Sequence, residues 1–245
     1  MPSVMEQPTR SLSPENILDV WEAGRQQHEL DRALTLLAAA SPELSRNELA
    51  DLTMGERDAR LLRLRIGMFG GSAGGTCECP QCGERVEFPI DTARLAHREK
   101  VAETMHEVEV NGTCLRFRLP TSRDLAGAVA APDQSRGIRQ LIEQCVVAPP
   151  LPEELSEDAV EALSHAMVEA DPQAEIIVSL GCPNCGKHWE LLFDIAHFFW
   201  TEIAAHAQRL VYEIDALARA YGWTEREILS LPAQRRRTYL EMLAA

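Results

Sequence analysis

Several absences narrow the class of this chain before any motif is considered. Basic residues are few: 24 Lys and Arg stand against 38 Asp and Glu, a net charge of −14 that repels polyanions, so general nucleic-acid binding is not expected. Between Arg139 and Lys187 there is no Lys or Arg, while Glu143, Glu153, Glu154, Glu157, Asp158, Glu161, Glu169, Asp171 and Glu175 all fall there. No run of about 18 apolar residues exists, so no membrane-spanning helix is expected. A basic, apolar-cored signal peptide is missing too, which makes a reducing cytoplasm the expected compartment. Missing as well are His-Glu-x-x-His, Gly-x-Ser-x-Gly and a dinucleotide fingerprint, and His28, His97, His106, His165, His188, His197 and His206 are scattered. With no nucleophile beside a base, the chain reads as a non-enzyme. The run Gly70 to Gly75 lacks the Lys and Ser or Thr of a phosphate loop and reads as a flexible joint, because ordering glycine costs the most backbone entropy.

What is present is a repeated cysteine pattern. Cys79-Pro80-Gln81-Cys82-Gly83 and Cys182-Pro183-Asn184-Cys185-Gly186 differ only at the third position. A two-residue gap lets both thiolates reach one ion from a single tight turn; Pro sets φ early and Gly supplies the left-handed residue that ends it. Two such knuckles fill a tetrahedral site with sulfur and leave no opening for water or substrate. That arrangement predicts a structural Zn2+ on Cys79, Cys82, Cys182 and Cys185, with iron as the other ion four thiolates accept. A redox role fits poorly, because each pair is followed by Gly and strand residues where a redox pair opens a helix. Cys77 is one residue from Cys79, a poor gap for a shared turn, and its role stays open. Cys114 and Cys145 read as small core residues. Between Cys82 and Cys182 lie 99 residues (182 − 82 − 1), against about 15 to 20 in common ribbons, so the ribbon is split by an insertion. Closure entropy grows only with the logarithm of loop length, which makes the split tolerable.

Periodicity supplies the rest. The chain has 45% apolar and 25% charged residues, an ordinary globular balance, so a metal adds to a core and does not replace one. Residues 1–12 read as a flexible tail. Ser13-Pro14 opens a helix that Gly24 stops, a second helix runs from about His28 to Ala40, Ser45 caps a third, and Thr53 with Glu56 caps a fourth. Residues 13–69 thus form an N-terminal helical unit. Period-two alternation then begins, with strands at Val86–Phe88 and a hairpin over 105–119 turning at Asn111-Gly112. Helices are predicted near 122–130, 134–146 and 156–170, and strands at Ile176–Val178 and Trp189–Phe193. The split ribbon occupies 70–193 with its insertion at 91–173. Residues 194–245 form a C-terminal helical unit whose long helix runs from the Asp194 cap to Gly222 along a seam of Phe199, Ile203, His206, Leu210, Ile214, Leu217 and Tyr221. The fold class is therefore α+β and mainly helical, with short antiparallel strands at the metal. Eight of 13 aromatic residues fall between Trp189 and Trp223, which makes the long helix a candidate partner surface as well as core. Arg235, Arg236 and Arg237 read as a solvated or partner-facing run.

Ser13 to Leu18 with Trp21-Glu22, then Leu30 to Leu37, the two split knuckles, Tyr221-Gly222-Trp223 and Tyr239-Leu240-Glu241 together resemble the baseplate-hub assembly proteins of T-even-like contractile phage tails and related contractile injection systems. That resemblance implies a structural or chaperone-like assembly protein of the hub, with hub, spike or tape-measure proteins as partners and incorporation into a phage tail-like particle. The competing reading is a zinc-ribbon nucleic-acid-binding or transcription-type regulator. Charge opposes it, since only Arg85 and Lys187 flank the knuckles.

Overall fold

The structure is a computed structural model that describes residues 10–96, 104–150 and 156–244. Four helices come first: α1 (Pro14–Gly24), α2 (Glu29–Ala40), α3 (Arg46–Ala50) and α4 (Met54–Phe69). Each starts where a side chain replaces missing intrahelical acceptors: Ser13, His28, Ser45 and Thr53 accept from backbone N–H groups of the first turns. Ser45 and Glu48 form a full capping box, whereas at Thr53 only the forward bond to the Glu56 amide is present. Of the expected tail, residues 1–9 lie outside the described residues. Residues 10–12 pack on the body, with Leu12 buried and the Arg10 amide donating to the Ala40 carbonyl at 3.2 Å.

The glycine run is not a joint. Gly70 caps α4 at φ 88°, and strand β1 (Ser72–Glu78) begins at once, pairing antiparallel with β2 (Arg85–Asp91). The reason is steric. Gly75 faces Phe88 across the ladder, and a Cβ at Gly75 would lie 2.5 Å from the Phe88 ring, so glycine lets the ring cover the strand. A short helix α5 (Thr92–Leu95) follows. The chain then forms the hairpin β3 (His106–Val110) and β4 (Thr113–Phe117), helices α6 (Ser122–Val129) and α7 (Gln134–Cys145), a third strand β5 (Val146–Ala148) that periodicity did not reveal, and α8 (Glu157–Ala170). Asn111 and Gly112 take φ 52° and 76°, the conformation expected of the turn.

The chain returns through β6 (Ile177–Gly181) and β7 (His188–Leu192), an antiparallel pair, into the 27-residue α9 (Ile195–Tyr221), and closes with α10 (Glu225–Ser230) and α11 (Ala233–Ala244). Asp194 caps α9 through the Ala196 and His197 amides, and Gly222 at φ 68° ends it. Of the expected seam, Phe199, Ile203, Leu210 and Leu217 are buried, but Tyr221 is exposed.

Among the described residues, two large apolar cores result, with a small third cluster at the cysteine tips. The larger joins α1 to α4 and α9 through residues such as Leu36, Leu61, Phe199 and Ile203, and draws in Ile90, Ile176 and Phe193 from the roots of the two knuckle hairpins. The smaller is built from the stretch between the two knuckle hairpins, around Phe117, Ile142, Cys145 and Leu163. The architecture is α+β and predominantly helical, with small antiparallel sheets.

Candidate metal centre

Each cysteine pair sits in the turn of a two-stranded hairpin, and the two turns have the same hydrogen bonds. Cys79 donates its amide to the Glu84 carbonyl at 2.8 Å and accepts from the Gly83 amide at 2.9 Å. Cys182 does the same with Lys187 at 2.8 Å and Gly186 at 3.0 Å. Gly83 and Gly186 close the turns at φ 72° and 71° with open space where a Cβ would be, so the backbone conformation, not crowding, requires glycine there.

The two tips meet. Cys79 Sγ lies 3.7 Å from Cys185 Sγ, Cys82 Sγ lies 3.7 Å from Cys182 Sγ, and all four sulfurs are within 4.8 Å of one another. An ion about 2.3 Å from each of four tetrahedral sulfurs sets those sulfurs about 3.8 Å apart. The observed spacing fits that geometry and is too long for a disulfide of about 2 Å. Cys79 and Cys182 are buried against Val86 and Trp189, whereas Cys82 and Cys185 face solvent. The Asn184 amide lies 3.8 Å from Cys82 Sγ, so one of the two residues at which the knuckles differ supplies a donor to a thiolate.

Electrostatics point the same way. Burial pushes the Cys79 thiol up, but the Gln81 and Cys82 amides and the neighbouring sulfurs outweigh it and bring it to about 7. At Cys185 the Lys187 amide favours the thiolate, yet burial and three adjacent sulfurs drive the thiol up to about 12. Four such groups cannot all ionise unless a cation balances them, and a divalent ion does so. The four cysteines can therefore hold a metal ion.

Other candidate residues stand apart. Cys77 packs beside the cluster but is not one of the four, and its thiol is raised by burial and by Cys79. Cys145 is buried, but Cys114 is not the core residue expected: it lies on the solvent side of β4 near Glu107. His188 begins β7 beside Gly181, and His206 rests half buried against the Phe69 ring. Arg236 also departs from expectation, since it is buried and bonded to Glu213 at 2.8 Å and to the Leu231 carbonyl.

Sequence reading missed the residue that anchors the first hairpin. Arg65 is fully buried and grips Glu202 of α9 with two bonds of 2.8 and 2.9 Å, the Gly70 and Ser72 carbonyls at 2.6 and 3.1 Å, and Thr92 Oγ1 at 3.2 Å. It ties α4, α9 and both ends of the β1–β2 hairpin into one unit. An Arg among apolar neighbours in α4 was its only local signal.

In comparison with known protein families, residues 151–200 match the family described as T4 bacteriophage base plate protein. That segment holds α8, β6, the second knuckle, β7 and the start of α9. No curated protein and no solved structure matches the chain. The match supports a structural, baseplate-related role with protein partners. No helix among the described residues is long and apolar enough to cross a membrane.

Proposed function

We propose that this chain is a non-enzymatic structural or assembly protein of a contractile-tail baseplate hub, chaperone-like in use, with one structural zinc ion on Cys79, Cys82, Cys182 and Cys185. The observation that carries the role is the baseplate-family match over residues 151–200, which includes the second knuckle. The sulfur geometry supports the ion, and a site closed by four thiolates suits holding the chain together. On this reading residues 70–193 are a split zinc ribbon, 91–173 its insertion, and 13–69 and 194–245 the flanking helical units. Partners are hub, spike or tape-measure proteins. Their docking surface includes the outer side of α9, where Tyr212 is 76% exposed and Val211 44%.

Co-expression with hub, spike and tape-measure proteins of one contractile tail, followed by affinity capture, tests the role. The expected result is a co-purifying partner, lost on Tyr212→Ser without loss of fold. Failure to capture any of these, together with tight and salt-steep binding to DNA or RNA, would favour the nucleic-acid alternative.

A further inference from the structure

Between the insertion and the helical body runs a seam made of polar contacts. The Met54 amide donates to the Pro120 carbonyl at 3.0 Å, Thr53 and Thr121 form an isolated bridge, and the Gly55 amide donates to Asp171 Oδ2 at 2.9 Å. Arg123 pairs with Asp51 and reaches Asn47 Oδ1 at 3.0 Å. The apolar cores barely cross this line: of residues 91–173 only Leu95 and Ala96, at the arm's base, pack partly buried against the body cluster, and the insertion cluster contains no residue of the body.

The seam is also poorly satisfied. Arg57 Nη1, both amide atoms of Gln173 and Ser122 Oγ are buried without hydrogen-bond partners, and each belongs to a residue within two positions of a seam contact. Opening such a seam exchanges protein hydrogen bonds for bonds to water at small net cost and gives the four orphaned atoms partners. Apolar burial, which resists separation, is what the seam lacks.

We infer that the insertion is a hinged arm, swinging off the N-terminal end of α4 while the metal-clasped knuckles and the Arg65 anchor hold its base. This rests on reading 91–173 as an insertion and is independent of the baseplate role. Gly55 is the tightest point of the seam, since a Cβ there would fall 1.8 Å from Asp171 Oδ1.

The first turn of a helix has no intrahelical acceptors for its amides. Protection of the Met54 and Gly55 amides from hydrogen exchange therefore reports docking of the arm directly. Residue-resolved exchange on the full, metal-loaded chain should show these two amides exchanging at least tenfold faster than those of Leu61, Ile203 and Arg118, the last bonded to the Cys145 carbonyl at 2.9 Å. Gly55→Ala and, separately, Arg123→Ala should speed Met54 exchange a further tenfold or more, with Leu61, Ile203, Arg118 and metal content unchanged. The proposal is overturned if Met54 exchanges in step with Leu61 and Arg118 in the parent chain. It is equally overturned if Arg123→Ala, at the solvent-facing edge, leaves Met54 unaffected or accelerates all reporters alike.

Discussion

Asp58 is 8% exposed, paired with Arg57 and close enough to Asp194 and Asp171 to feel both. Burial raises its carboxyl from the usual 3.8 to about 6, against the pull of Arg57. The folded chain thus binds more protons there than the unfolded chain between those two values. Its contribution to stability is fullest at low pH, falls as pH rises from about 4 to about 6, and is flat above. Urea unfolding of the parent and Asp58→Asn across pH 4 to 8 should show their stability difference drifting by roughly 2 kcal/mol over that window. A difference independent of pH would mean that Asp58 ionises normally. Taking the difference matters because His206, lowered chiefly by burial, shifts stability the opposite way up to its usual 6.5. At this scale the cluster of Cys79, Cys82, Cys182 and Cys185 was legible in the sequence, because a knuckle is a local pattern with a fixed spacing. Arg65, Asp171 and the Arg236–Glu213 pair were not. Their partners lie 137, 116 and 23 residues away, and no local period records that.

Elements followed the sequence closely wherever one side chain decides a boundary. Ser13, Ser45, Asp194 and Gly222 cap the helices they were expected to cap. Asn111-Gly112 turns the hairpin as its backbone preference requires. The failures share a cause: cross-strand packing overrode intrinsic preference. Six residues dominated by glycine looked too costly to order, yet β1 takes shape because Phe88 lies over Gly75 and Arg65 holds the entry. Gly75→Val should therefore destabilise the fold by about 1–3 kcal/mol although valine is the better strand former, since its side chain displaces the Phe88 ring. Chemical denaturation reads this directly, and a stabilised variant would refute the packing account. The three-residue β5 escaped notice because so short a strand has no period of its own; its ladder with β4 defines it.

Over the whole molecule, two hairpins about a hundred residues apart in sequence are rooted in the main core by Ile90, Ile176 and Phe193 and bring their cysteine tips together. The four cysteines lie outside the main core. The metal's proposed task is local: it joins the tips and so closes the base of the insertion. The repeated knuckle made this closure legible, but the division into two cores and the polar seam between them appear only in three dimensions. The most direct test is X-ray absorption of the purified chain at the metal edge, together with elemental analysis. The account predicts one zinc per chain with four sulfur neighbours at about 2.3 Å, undiminished in Cys77→Ser and lost in Cys79→Ser and Cys182→Ser. A folded chain that carries no metal, or one whose metal survives both of the latter substitutions, would contradict it.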